Sequence, residues 1–289
     1  MAGGHRLCSG AHGLALRSSV LGAANPALQL AAPWTPLRWM AQYRSQWEDP
    51  TVITRHLRKL KRAHKEGRGE GLHDASCSTA ARVGRLDLLK YARKKGCDWD
   101  EFTCRRAAEG GHLHVLKYAH ENGCPWDRFA CTKAAKAGHL EVLKYLHENG
   151  CPWDMYASRE AAEHGHLEVL KYLHEHGCPW DEGTCFKAAL GGHLDVLKYA
   201  HENGCPWDKF TCRNAAKGGH LEVLKYAHEN GCPWDEWTCT WAAAGGHLHV
   251  LEYARKNGCP WRRQYCKAKA TERGHTHIIE WIDAHPGLI

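Results

Sequence analysis

Small and apolar residues recur along this chain with helical spacing, in two short runs for every 27 residues. In the stretch from Asp100 to Trp126, Cys104, Ala107 and Ala108 fall at i, i+3 and i+4, a narrow stripe of small side chains. A second run from Leu113 to Asn122 sets Val115, Leu116, Tyr118 and Ala119 to one side and His114, Lys117 and Glu121 to the other. Asp100 is suited to cap the first helix, Gly110-Gly111 to end it, and Gly123 to stop the second in a left-handed conformation. The pattern therefore predicts two helices of about ten residues, too short to persist alone in water. Their apolar stripes must be covered by neighbours.

Those neighbours are copies of the same unit. Gly84, Gly111, Gly138, Gly165, Gly192, Gly219 and Gly246 lie 27 residues apart and Gly274 follows after 28, giving eight units over roughly residues 70–289. An Asp follows the Trp at six of the seven junctions (Asp100, Asp127, Asp154, Asp181, Asp208, Asp235) and is expected to cap the next helix. One large residue per unit, Trp99, Trp126, Trp153, Trp180, Trp207, Trp234 and Trp261, is expected to fill the gap between units. The fold class this predicts is all-α: an α-solenoid of eight helix-turn-helix repeats, stable through nearest-neighbour contacts. The first unit, GEGLHDASCSTAA from Gly69, and the irregular last one, with Cys266, Lys269, Thr276, Ile278, Ile279 and Trp281, read as capping units.

The phrase AAEGGHLHVLKYAHENGCPWD at Ala107–Asp127 resembles the ankyrin repeat: a paired alanine, Gly-His, a Val-Leu-Lys helix and a glycine turn. The resemblance covers roughly residues 74–285 and implies an ankyrin-like solenoid that binds other macromolecules. It departs in length, 27 residues against about 33 in the family. The missing residues fall between the Gly-Cys turn and the next helix, where ankyrins carry a β-hairpin finger, and Cys104 and its equivalents replace the Leu of the TPLH motif.

Charge divides the chain. Residues 1–73 hold 11 Lys+Arg and 4 Asp+Glu, so the net +7 arises there, while residues 74–289 hold 28 of each. Mean hydropathy is −0.57, and the longest uncharged stretch, Ser18 to Leu37, contains Pro26, Pro33 and Pro36, so no spanning helix is expected. Residues 1–47 contain Arg6, Arg17, Arg38 and Arg44 and no acidic residue among Ala, Leu, Gly and Ser, the composition of an organellar transit peptide. Leu7, Leu14 and Leu21 on one helical stripe favour a mitochondrial address, with plastid and cytosol as the alternatives; a disordered basic tail is the simpler reading.

Residues 49–68 predict a basic amphipathic helix opened by Asp49-Pro50. Ile53, Leu57, Leu60 and His64 form its stripe, and Arg55, Arg58, Lys59, Lys61, Arg62 and Lys65 the opposite side. Capping of the first repeat and a grip on phosphate, in RNA or an anionic membrane, are both compatible with that pattern.

Fifteen cysteines at a fixed period are not a disulfide framework. Equivalent cysteines in neighbouring units are expected about 8–10 Å apart, the spacing of packed helices, beyond disulfide reach, and read as small buried thiols in a reducing compartment. His120 and Cys124, with four similar His-x-x-x-Cys pairs, offer two metal ligands where structural zinc takes four. A His near a helix C-terminus is more simply a carbonyl cap. Six Cys-Pro dipeptides are a product of the repeat, so neither metal, haem nor another cofactor is expected. Catalysis needs a constellation of differing roles, and here each His, Cys and Asp recurs identically, so a non-enzymatic chain is expected.

Variation along the constant frame marks where a partner would be read. On the first helices it falls at Arg105, Arg106, Lys133, Lys136, Arg159, Lys187, Arg213, Lys217 and Trp241. Beside them runs a column of aromatics, Phe102, Phe129, Tyr156, Phe210 and Trp237, interrupted by Gly183. Packed, it would lie against the next unit's Trp; exposed, it would be a stacking ladder for single-stranded nucleic acid. The sequence thus predicts a protein-binding scaffold or assembly subunit, a monomeric module of a larger complex. An RNA-associated organellar protein is the alternative.

Overall fold

The structure, a computed structural model, describes residues 73–285 apart from Lys95, and the side chains from Cys77 onward. The predicted targeting segment, the basic helix and its six cations therefore lie outside the described residues. Among those described there are helices and no strands.

Sixteen helices form eight pairs. They are α1 (His73–Arg82) with α2 (Leu86–Lys94), α3 (Glu101–Glu109) with α4 (Leu113–Glu121), α5 (Arg128–Lys136) with α6 (Leu140–Glu148), and α7 (Met155–Glu163) with α8 (Leu167–Glu175). The second half continues with α9 (Glu182–Gly191) and α10 (Leu194–Glu202), α11 (Lys209–Gly218) and α12 (Leu221–Glu229), α13 (Glu236–Gly245) and α14 (Leu248–Lys256), and α15 (Arg263–Glu272) and α16 (Thr276–Ala284). None of them is long and apolar enough to cross a membrane.

Local chemistry sets the helix ends. Asp100, Asp127, Asp154, Asp208 and Asp235 each accept the backbone N–H two residues on, as expected of N-caps. Asp181 makes no such side-chain bond; its carboxylate is held by the Arg159 guanidinium. At the other end Gly123, at φ +82°, lets the Cys124 N–H reach back to the Ala119 carbonyl at 2.9 Å. The nearby carbonyl cap belongs to Asn122, whose Nδ2 donates to the Tyr118 oxygen at 2.8 Å, and not to the His of the sequence expectation.

Each first helix lies against the first helices before and after it, whereas successive second helices touch far less. Side-chain size explains the difference. Cys104, Ala107 and Ala108, and their equivalents, are wholly buried, so those backbones approach closely. Second helices bury Val115 and Leu116 inward, about 2 kcal/mol for each side chain taken from water, and leave a wider gap between their outer flanks. Aromatic rings fill it. Trp126 stacks on His120 of its own unit, centroids 3.6 Å apart and planes 8° from parallel, and meets Tyr145 of the next unit edge-on at 6.3 Å. The same trio recurs from Trp153, Trp180, Trp207 and Trp234. In the first and seventh units Arg93 and Arg255 stand in for the His, their guanidinium carbons 4.3 and 4.7 Å from the centres of Trp99 and Trp261.

Candidate functional site

The expected packing of the aromatic column against the neighbouring Trp does not occur, because those Trp rings lie between second helices. Phe102, Phe129, Tyr156 and Phe210 project from the first turns of α3, α5, α7 and α11 and are 49, 40, 48 and 45% exposed. Arginines lie between the rings: the Arg105 guanidinium is 4.4 Å from the Phe102 centre and 4.8 Å from that of Phe129. Arg213 sits likewise between Phe210 and Trp237. At Gly183 there is no ring, and the Arg159 side chain lies against the bare Cα where a Cβ would collide with its Nε. Arg159 occupies the place of an aromatic side chain.

These arginines do a second job. Arg105, Arg159 and Arg213 each donate two hydrogen bonds to the capping Asp of the next unit, Asp127, Asp181 and Asp235, through Nε at 2.9 Å and the terminal nitrogen. The Arg159 bond holds the Asp181 carboxyl below its usual range. Burial works to raise Asp235, but the Arg213 bond and charge, the Trp237 N–H and the Lys209 charge together hold it below its usual range.

The other variable cations are also matched within the chain. Glu109 accepts from Arg106 at 2.5 Å and from Lys133 of the next unit at 3.4 Å, Lys136 pairs with Glu160 at 2.9 Å, and Lys187 with Glu163 at 2.6 Å. This ladder bridges α3, α5, α7 and α9 and stops there. Beyond Lys187 the same columns carry Leu190 on α9, Asn214 and Lys217 on α11, and Trp241 and Ala244 on α13. Lys217 is exposed, and its ammonium lies 5.3 Å from the Trp241 ring with no salt bridge among the described residues. The structure thus brings Arg105, Arg106, Lys133, Lys136, Arg159, Lys187, Arg213, Lys217 and Trp241 onto one continuous face of first helices, with most of the charge compensated. Sequence reasoning missed that compensation. Its signal was an acidic residue 22 positions from Arg105, Arg159 and Arg213 and 24 from Lys133, Lys136 and Lys187.

Thiols and imidazoles take structural partners. The Cys124 Sγ–H donates to the Asp100 carbonyl at 3.3 Å, and its counterparts at Cys151, Cys178, Cys205, Cys232 and Cys259 do the same one unit on. Of the proposed His-x-x-x-Cys ligand pairs, the His is stacked on Trp and the thiol is bonded inward. One group of metal-ligating atoms does converge among the described residues, Glu160, Glu163 and His164 on α7, within 4.8 Å of one another. Lys136 and Lys187 already neutralise its two carboxylates.

Models of ankyrin repeats match this sequence over residues 104–183, as three copies, and over residues 185–228 and 212–255. Together these stretches cover just over half of the chain. The chain belongs to the ankyrin-repeat family. Among solved structures, the human ASB11 ankyrin repeat domain is similar at 20% identity with a TM-score of 0.47, over 54% of this chain and 84% of that one. No curated protein matches the sequence. Ankyrin repeats are in general protein–protein interaction scaffolds and typically non-enzymatic. In this family member the junction between second and first helix is a Cys-Pro-Trp-Asp loop, recurring from Cys124–Asp127 to Cys232–Asp235, and the aromatic-arginine column begins in the first helical turn after it.

Proposed function

We propose that this ankyrin-repeat chain binds a protein partner along its first-helix face, as a scaffold or assembly subunit. The observation that carries the proposal is the row of exposed rings at Phe102, Phe129, Tyr156 and Phe210, each beside an arginine or an exposed polar group. Large exposed aromatics set on a rigid frame cost solvation free energy and are the side chains that dominate protein interfaces when a partner covers them. Internal pairing of the neighbouring cations argues against phosphate as the ligand of this face, since a backbone of phosphates attracts uncompensated charge. The RNA reading then rests on the basic segment at 49–68 alone. We also propose a mitochondrial address in residues 1–47, supported by the Arg-containing, acid-free composition; import of a reporter fused to that segment tests it.

The decisive experiment is affinity capture with the full chain and with the Phe102→Ser, Tyr156→Ser, Phe210→Ser triple variant, each with and without RNase. A set of proteins that survives RNase and is lost with the variant supports the proposal. Capture that the variant leaves intact and RNase abolishes would replace it with RNA binding.

A further inference from the structure

Fourteen of the fifteen cysteines are among the described residues, and all are free thiols. Equivalent cysteines of neighbouring units are one repeat apart, but the fold brings a different pair together: the cysteine of each first helix and that of the Gly-Cys turn closing the same unit, 20 residues on. The Cys131 Sγ lies 4.0 Å from the Cys151 carbonyl oxygen. In the fourth unit, where Ser158 replaces the helix cysteine, its hydroxyl donates to the Cys178 sulfur at 3.5 Å. The two side chains of such a pair are thus in contact.

In the first unit the Cys77 Sγ likewise lies 4.0 Å from the Cys97 carbonyl oxygen, and this pair differs from the others in its exposure. Cys97 is half-buried; every other described cysteine is buried. Beside it the Arg93 guanidinium donates to the Cys97 carbonyl at 2.6 Å. Burial raises the Cys97 thiol, and Asp98 adds to this, while the Arg93 charge favours its thiolate. Cys77 is wholly buried, which pushes its thiol up to about 12, so it cannot be the first to react.

We infer that Cys77 and Cys97 form a dithiol site for small-molecule disulfides of the glutathione type, in which Cys97 attacks and Cys77 resolves. The Cys97 thiolate attacks one sulfur of the small disulfide, whose S–S bond breaks; a mixed disulfide forms and one small thiolate leaves, taking up the proton that Cys97 gave up. Cys77 then attacks the Cys97 sulfur, the bond to the small group breaks, and the departing thiolate takes up the Cys77 proton and leaves as the second small thiol. Two electrons pass from the pair to the oxidant, and the products are one protein disulfide and two small thiols. The new bond ties α1 to the turn after α2.

The test uses the full chain with oxidised glutathione, alkylation of remaining thiols, digestion without reduction, and mass spectrometry. The expected product is a cross-linked peptide joining Cys77 to Cys97, with Cys178 alkylated and not cross-linked. Cys77→Ser should accumulate a stable glutathione adduct on Cys97, and Cys97→Ser should leave Cys77 unmodified, with circular dichroism showing both variants folded. Three outcomes overturn the inference: no oxidation of the pair, a persistent glutathione adduct on Cys97 in the unsubstituted chain, or Cys77 joined to any other cysteine.

Discussion

The ring of His112 lies directly over Gly84 of the preceding unit: a Cβ on Gly84 would come 2.5 Å from the His112 Nδ1. From there the Nε2 reaches the Arg82 carbonyl at 3.0 Å, one of the orphan acceptors at the end of α1. The contact repeats as His166 over Gly138 with a bond to Lys136, His193 over Gly165 to Glu163, and His220 over Gly192 to Leu190. The Gly165-His166, Gly192-His193 and Gly219-His220 steps therefore each do two things: the glycine receives the next unit's imidazole, and the step's own imidazole caps the helix behind.

Two glycines with the same backbone separate the terms of that contact. Gly138 and Gly150 have φ of +75° and +79°, but a Cβ on Gly138 meets the His166 ring at 2.7 Å and one on Gly150 meets nothing. Gly150→Ala is expected to cost only the left-handed strain, about 1 kcal/mol. Gly138→Ala should cost about 2–3 kcal/mol, since ring and carbonyl bond are displaced as well. Urea unfolding of the two variants checks the difference; equal losses would mean that the imidazole contact contributes nothing.

Asp235 serves Trp237 as an N-cap, accepting its N–H at 3.1 Å, and serves Arg213 across the junction. With side-chain exposures of 14 and 20%, the pair is better shielded than a surface salt bridge. Asp235→Ala is expected to destabilise by about 2 kcal/mol and Arg213→Ala by about 1. A double-mutant cycle should return a coupling of about 0.5–1 kcal/mol. Strictly additive losses would show the pairing to be energetically idle.

Thr211 and Thr238 are fully buried, and neither hydroxyl has a hydrogen-bond partner among the described residues. Ala130 and Ala157 hold the same position in other units. Thr211→Val keeps the shape and removes an unsatisfied polar group, so it should stabilise the array by about 1 kcal/mol. A lower unfolding midpoint for Thr211→Val would point to a hydrogen bond made in solution.

Acid should weaken the fold in two stages. Burial holds His112, His166 and His247 below the usual imidazole value, against carbonyl bonds that pull upward. The unfolded chain therefore takes up protons first, from about pH 6.5 downward, so stability falls with pH through that window until the folded imidazoles also protonate. Asp181 and Asp235, depressed in the folded state, keep their contribution above the unfolded carboxylate value near 4 and lose it only as pH falls further. Unfolding midpoints measured from pH 7.5 to pH 3 should show both steps. Burial depresses His147 as well, so replacing all four histidines by Gln should remove the upper step; an unchanged upper step would assign it elsewhere.

Much of this molecule was legible before any coordinates. The i, i+3, i+4 runs named the helices, Asp and Gly named their ends, and the 27-residue period required stacking, because those signals act over a few residues or repeat with the chain. The identity of the face was legible too, since Arg105, Lys133 and Trp241 depart from a fixed frame. What each side chain does there was not. Arg105 finds Asp127 and Phe129, Trp126 finds His120 and Tyr145, and His112 finds Gly84 only once one unit is set against the next.

Sequence alone determined the helices, their number and their order, because capping, helical periodicity and the left-handed glycines are local properties of the chain. Tertiary structure alone decided which charges are already spent, which rings remain in water and which thiols touch. Those depend on the distance and rotation between consecutive units, and that geometry follows from how closely Cys104, Ala107 and Ala108 let neighbouring first helices approach.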